Sequence, residues 1–283
     1  MFNATQLLTQ LKKKIKLPDG SFDDQDLLDF CHLALTSELI PELIKAREAF
    51  YVTSSTLTVT AGGSVRIPSR AFGGIIREIK LTKDERNKNL LRLDEEDFSD
   101  PTTTGEPNSF CVRGNRIVLS PSPDQAYDIF LTYWLAPPRI VPVSECAIIT
   151  AISTNTITCT PPSTWTTSNT FDIVKGTSDY EPCVIDATAT SLNTTQIVLT
   201  NTPSDIEIGD YICLAGESPY AYLQSSYYPV LLQYAVSLIH EANGDLEQKG
   251  ASDAKAEAML GRLQGVYSDR VQGAPKKIIS SLL

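Results

Sequence analysis

The sequence predicts an α+β protein in which helices from both ends of the chain form a bundle beside an antiparallel sheet. Three observations support this prediction. Apolar residues recur at helical spacing in roughly the first 50 and last 60 positions, strand-like alternation dominates between them, and a threonine-rich stretch repeats itself. We expect three domains, at residues 1–142, 143–217 and 218–283. The middle one is an inserted all-β domain with a duplicated, barrel-like or sandwich-like fold.

The amino-terminal segment has the signals of two helices. Asn3, followed by Gln6, forms a capping box, and leucines follow at helical spacing. A second helix is predicted from Asp24 to about Phe50. Pro41 lies inside it, where a missing backbone donor should kink or restart the helix.

Alternating residues after Tyr51 predict an antiparallel sheet. Residues 56–60 and 65–68 flank a Gly-Gly turn and are expected to form a hairpin. Residues 110–112 and 117–119 flank a tight turn with a Gly-Asn tip and form a second predicted hairpin. A further strand covers residues 127–134.

The inserted block contains an internal repeat. Residues 154–160 (TNTITCT) correspond to residues 194–200 (TTQIVLT), and residues 171–176 (FDIVKG) correspond to residues 211–216 (YICLAG), in both cases 40 positions later. Two 40-residue copies of one strand-pair unit, closed on each other, would give a small barrel or sandwich.

The chain is expected to close with a helical hairpin. Its first helix starts near Ser226 or Pro229, Asn243-Gly244 forms the turn, and Ser252 is expected to cap the second helix. Five tyrosines near the start of this hairpin favour a protein interface: Tyr220, Tyr222, Tyr227, Tyr228 and Tyr234.

Negative charge is concentrated in the insert. Residues 143–217 hold nine acids and one base, Lys175, which gives a net charge of −8 out of −10 for the whole chain. Such a block is not expected to bind nucleic-acid phosphates, since that binding depends on lysine and arginine displacing counterions. It can lie next to DNA without binding it.

No motif for catalysis, a cofactor or a metal is found, so we predict no catalytic, cofactor-binding or metal-binding residues and no enzyme. The six cysteines are too far apart in sequence for a zinc knuckle or redox pair. The acid run 94–97 (DEED) is expected to be a solvated loop or helix start. No apolar window is long enough to span a bilayer and no secretory signal is present, so no membrane partner is expected.

Several segments together resemble the head-to-tail connector (adaptor) proteins of tailed bacteriophages. They are LLDF at 27–30, PELIKAREAFYV at 41–52, RIPSRAFGG at 66–74, VRGNRIVLSP at 112–121, LTYW at 131–134, PPR at 137–139 and FDIVKG at 171–176. The resemblance covers roughly residues 20–270. The chain departs from the small, mainly helical adaptors by carrying the repeated β insert.

The resemblance implies a structural virion protein, made in the host cytoplasm and located at the head–tail junction. In that family the subunits form a ring, usually of about twelve copies, under the portal. The helical bundle and carboxy-terminal tail would bind the portal, and the β part would face a tail or nozzle protein and line the channel. Genomic DNA would pass through without specific binding.

Two sets of site residues follow from the charge pattern and the resemblance together. The apolar end of the chain is expected to dock on the portal, through Lys276, Lys277, Ile278, Ile279, Leu282 and Leu283. The acids expected to face the channel are Asp205, Glu207 and Asp210. The alternatives are a tail-tube or capsid-decoration protein, and a host- or glycan-binding module that uses the β insert. An enzyme would need residues 94–97 for its activity.

Overall fold

A computed structural model describes residues 2–15, 22–46, 51–83, 86–98, 103–176, 182–201 and 205–268. The chain divides into two compact units, one made of Met1–Ala46 with Pro137–Leu283 and the other of Arg47–Ala136. Helices and antiparallel sheets are both present, so the predicted α+β class is confirmed. The predicted boundaries differ from this division, because the sheet forms a unit by itself while the inserted block clusters with the helices.

The amino-terminal helices are α1 (Ala4–Lys14), α2 (Asp24–Ala34) and α3 (Ile40–Ala46), with a π-helical turn at Leu35–Leu39 between the last two. The predicted capping box is confirmed: the Asn3 side chain accepts from the Gln6 N–H, and the Gln6 side chain accepts from the Asn3 N–H. The interruption predicted at Pro41 takes the form of the π-helical turn just before it, since proline cannot supply the regular helical N–H.

The predicted closing hairpin is confirmed as α4 (Tyr228–Ala242), preceded by a 3₁₀ turn (Ser225–Tyr227), and α5 (Leu246–Ser268). The Asp245 carboxylate accepts from the Gln248 N–H, so α5 begins there. The cap predicted at Ser252 is therefore wrong, because Ser252 is buried within the helix. Helix α4 is buried on most sides and packs against α1, α2 and α5, which explains its nearly unbroken apolar sequence.

The unit at residues 47–136 consists of small β-sheets in which most strand pairs are antiparallel and two are parallel. Its strands are β1 (Val52–Val59), β2 (Val65–Arg66), β3 (Ala71–Lys83), β4 (Arg86–Asn89), β5 (Leu91–Arg92), β6 (Thr104–Gly105), β7 (Ser109–Arg113), β8 (Arg116–Ser120), β9 (Ser122–Pro123) and β10 (Tyr127–Leu135). They are ordered β1-β10-β3-β4 and β2-β8-β7-β5, with a separate β6-β9 pair. The β7–β8 hairpin is confirmed. The hairpin predicted across residues 62–63 is wrong, because β1 pairs with β10 and β2 with β8.

The inserted block forms one seven-stranded sheet. Its strands are β12 (Ala147–Ile148), β13 (Ala151–Ser153), β14 (Thr156–Thr158), β15 (Thr170–Val174), β16 (Pro182–Leu192), β17 (Gln196–Leu199) and β18 (Tyr211–Leu214), in the order β12-β18-β15-β16-β17-β14-β13. Within the described ranges this is an open order, and the predicted closed barrel is wrong. The end strands β12 and β13 are one stretch of chain that changes partner: the Ile149 N–H donates to the Asp210 carbonyl and the Thr150 N–H to the Thr158 carbonyl. Since β12 and β13 are only two residues apart in the chain, they cannot pair with each other to close the sheet.

The strand registers in the block recur at the spacing of the sequence repeat. Ile152 pairs with Ile157 in β13–β14, and Leu192 pairs with Ile197 in β16–β17, each 40 positions later. Ile157 and Ile197 are themselves opposite each other in β14–β17. Apolar side chains of these strands bury around one core that includes Trp165.

The entry and exit of the block are fastened to the helices. Parallel strands β11 (Arg139–Ile140) and β19 (Glu217–Ser218) join the two ends, and a 3₁₀ turn (Val143–Glu145) follows β11. The Arg139 guanidinium donates two hydrogen bonds, of 3.0 and 2.9 Å, to the carboxylate of Asp29 in α2. This fork links the block to the helical part of its unit.

Candidate functional site: an acidic loop and an acidic helix groove

The loop before β18 gathers three carboxylates around one lysine. The Lys175 ammonium lies 3.4 Å from Asp210, 3.6 Å from Asp205 and 3.9 Å from Glu207. Lysine and Asp210 are buried, with 13% and 3% of their side chains exposed, whereas Asp205 and Glu207 are 75% and 69% exposed. The four groups carry a net charge of −2, so the exposed edge of this acidic loop (residues 205–210) stays negative.

Asp210 has a structural role in this loop. One carboxylate oxygen accepts from the Gly176 N–H at 2.9 Å and the other from the Glu207 N–H at 2.7 Å. Gly176 approaches so closely that an added Cβ would lie 2.4 Å from the Gly209 carbonyl oxygen. Of the three acids predicted to face a channel, Asp205 and Glu207 project into solvent, while Asp210 is turned inward to hold two loop segments together.

The carboxylates set the charge state of Lys175. Burial alone would lower the pKa of this lysine, but the negative charges of Asp210, Asp205 and Glu207 outweigh burial and the pKa is raised. The lysine is therefore held in its charged form. Asp172 is a second buried acid of the block and accepts from the N–H groups of Asp186 and Gly216.

A groove of about 510 Å³ opens between the helices. It is lined by Ser37, Glu38, Pro41, Glu42, Lys45, Tyr234, Glu257, Leu260, Gly261 and Gln264, and we call it the helix groove. Lys45 is paired with Glu42, which leaves the groove with a net charge of −2. Burial raises the pKa of Tyr234 at its floor, and the charges of Glu257, Glu38 and Glu42 raise it further, as expected in a field of negative charge.

The tyrosine-rich start of the closing hairpin is internal. Its five tyrosines are all buried, and Tyr234 also lines the helix groove, so the other four do not form the predicted interface. Their rings supply core volume instead: Phe2 packs on Tyr228 at a ring distance of 5.2 Å, and Tyr211 packs on Tyr220 at 5.6 Å. Sequence alone does not distinguish such a cluster from a binding surface, because both use aromatic side chains.

The remaining predicted sites are placed as follows. The predicted portal-docking residues at 276–283 lie outside the described residues. The acid run 94–97 is an exposed turn in which the Asp97 N–H donates to the Asp94 carbonyl. In the ranges that the structure covers, no three His, Cys, Asp or Glu side chains are grouped as metal ligands. Every helix in those ranges is too short or too polar to cross a membrane.

Neither the Lys175 cluster nor the helix groove was predicted from the sequence. A signal for the Lys175 cluster was present, since a single base among nine acids attracts carboxylates when the block folds. The helix groove had no such signal, because its residues come from three helices that are distant in the sequence.

The chain is similar to a known protein family. A family model described as SU10 adaptor protein matches residues 2–161, which is more than half of the chain. The match begins before α1, crosses the unit at residues 47–136 and ends just after β14. No curated protein matches the chain.

Proposed function

Because the chain belongs to the SU10 adaptor protein family, we propose that it joins the capsid vertex of a tailed phage to its tail, as a ring under the portal. The resemblance to phage adaptors predicted from the sequence is confirmed by the family match, and the protein is an adaptor-type structural protein. The family match is the observation that carries the proposal.

The helical part of the chain is proposed to face the portal. Residues 276–283 combine two lysines with four large apolar side chains, a composition that favours docking on another protein. The proposed partners are the portal, a tail or nozzle protein and about eleven further copies of this chain. The protein would be made in the host cytoplasm and then reside in the virion at the head–tail junction.

The inserted block is proposed to contribute to the DNA channel. A net charge of −8 over residues 143–217 would be multiplied around a ring into a negative collar, which repels DNA and lets it pass. Asp205 and Glu207 are the exposed acids of the acidic loop that would face the DNA. We also propose that the block is a duplication, which the equal registers of its two hairpins support.

The ring is tested by the copy number of this protein in purified particles, measured by quantitative peptide mass spectrometry against the portal. A ratio close to one to one is expected. A several-fold excess would instead identify a tail-tube or decoration protein. Absence from the particle would overturn the structural role altogether.

The channel is tested by reversing the charge of Asp205 and Glu207 in assembled particles and following the rate of DNA release. Slower release is expected, because lysines at these positions would attract phosphates. Unchanged release would show that the acidic loop faces away from the DNA. Glu247→Lys, on the exposed start of α5, is the matched control for an added positive charge.

A further inference from the structure

Helix α5 carries opposite charges on two sides. Lys255 and Arg262 are seven positions apart and share one stripe of the helix, and both are exposed. Glu257 is also exposed and lies two positions after Lys255. At 3.6 residues per turn, two positions correspond to about 200°, so Glu257 and Lys255 point about 160° apart around the helix axis.

One side of the helical part is positive and uncompensated. Lys14, at the end of α1, lies close enough to Lys255 for the two charges to interact: burial lowers the pKa of Lys14, and the charge of Lys255 lowers it further. Among the residues that the structure describes, no carboxylate forms an ion pair with Lys14, Lys255 or Arg262. We call these three residues the basic face.

The other side is the helix groove, which Glu257 lines together with Glu38 and Glu42. Its negative field is the one that raises the pKa of Tyr234 beyond the effect of burial. The groove is open and large enough for the end of a long side chain. A single subunit thus carries a cationic surface and a matching anionic recess on opposite sides of one helix.

We propose that the basic face of one copy seats against the helix groove of the next copy, and that this contact closes the ring. The inference rests on the proposed function, because it assumes that copies of this chain surround an axis. Joining unlike faces gives a heterologous interface, which makes rings when the rotation closes. A two-fold dimer through either surface would instead oppose like charges.

The angle between the two faces agrees with a ring of many subunits. In a regular ring of about twelve copies, the two neighbours of each subunit lie about 150° apart. The two faces are separated by a similar angle around the axis of α5, which fits a ring in which α5 runs parallel to the ring axis. Opposite faces on one helix also let a single rigid element transmit the contact around the ring.

The experiment uses the full chain and measures its assembly by native mass spectrometry and light scattering over a range of concentrations. Glu257→Lys changes the net charge of the helix groove from −2 to 0, and Lys255→Glu changes that of the basic face from +3 to +1. Each variant alone is expected to need about ten-fold more protein for half assembly, or to remain monomeric, because the attraction between the two faces is then lost or weakened at every interface. Glu247→Lys, exposed on the same helix but outside both faces, is expected to assemble like the wild type.

Two combinations distinguish this contact from general loss of solubility. An equal mixture of Glu257→Lys and Lys255→Glu chains is expected to assemble by alternation, and the double variant carrying both changes is expected to assemble by itself. Assembly of the wild type should weaken towards 1 M salt, where the screening length falls to about 3 Å.

The outcomes separate this inference from the proposed function. Rings that form equally well from Glu257→Lys and from the wild type would overturn the interface and leave the adaptor role intact. Failure of the mixture and of the double variant to assemble would overturn the interface as well. A wild-type chain that stays monomeric at every concentration would overturn this contact as the force that closes the ring, while the ring itself is decided by the copy number in particles.

Discussion

Removing the Asp210 carboxylate should strongly destabilise the inserted block. In Asp210→Ala, the N–H groups of Gly176 and Glu207 lose their acceptor, and Lys175 loses the buried member of its three carboxylates. Each buried N–H left without a partner costs about 1–3 kcal/mol. At 3.4 Å the ion pair contributes at most about 5 kcal/mol with an effective dielectric constant of about 20.

These contributions are not additive, because the loop relaxes and the ammonium recovers part of its hydration. Breaking a buried, hydrogen-bonded ion pair on one side typically costs about 3–5 kcal/mol, and we expect that loss in the free energy of unfolding. Asp205→Ala is the matched control. Asp205 lies 3.6 Å from the same ammonium but is 75% exposed, so its removal should cost no more than about 1 kcal/mol.

The assay is urea unfolding followed by tryptophan fluorescence. Of the two tryptophans, Trp165 is buried in the block and packs on Phe171 with ring centroids 5.1 Å apart. A Trp134→Phe background leaves Trp165 as the reporter of the block, which matters because two compact units can unfold separately. If Asp210→Ala and Asp205→Ala lower the free energy of unfolding by the same amount, the burial and hydrogen bonds of Asp210 do not stabilise the block as argued.

Three further results are expected. The block should lose stability as the pH rises above about 10.5, because the pKa of Lys175 is higher in the folded than in the unfolded chain. The stability that Lys175 contributes is complete below the unfolded pKa and is lost as the pH rises through the folded pKa. Lys175→Met should flatten this pH dependence. Asp29 has the opposite pH dependence, because the hydrogen bond from Arg139 lowers its pKa, so the stability that it contributes is lost as the pH falls below about 4. Arg139→Ala should lower the free energy of unfolding by about 0.5–1 kcal/mol, measured in a thermal melt at pH 7. Gly176→Ala should destabilise the block by about 2 kcal/mol or more, because the added Cβ would clash with the backbone of Gly209. Gly250→Ala, where α5 leaves open space for a Cβ, should instead stabilise the helix by up to about 1 kcal/mol. Equal effects of the two substitutions in urea unfolding would refute the close approach at Gly176.

Local patterns predicted most of the individual elements. The Asn3–Gln6 capping box, the β7–β8 hairpin and the closing helical hairpin were all recognised because the interactions that form them join residues close in sequence. The same local reasoning failed for the Ser252 cap, since a serine and a nearby helical pattern do not exclude that the helix has already begun at Asp245.

Pairing between distant strands was less predictable. Alternation identifies a strand but carries no information about its neighbour, so the Gly62-Gly63 turn was assigned to a hairpin although β1 and β2 belong to different sheets. In the block, the repeat predicted a barrel, while the order of the described strands is open at β12 and β13.

The sequence by itself determined the α+β class, the 40-residue repeat, the acidity of the insert and the resemblance to phage adaptors, because composition, periodicity and motifs are properties of contiguous residues. The tertiary structure decided which acids are exposed and which charged side chains of α5 face the helix groove. It buried Asp210 against Lys175 while leaving Asp205 in solvent, and it brought Glu257 of α5 to the sequence-local pair Glu38 and Glu42. Burial and electrostatic fields depend on distances in space, which spacing along the chain does not fix.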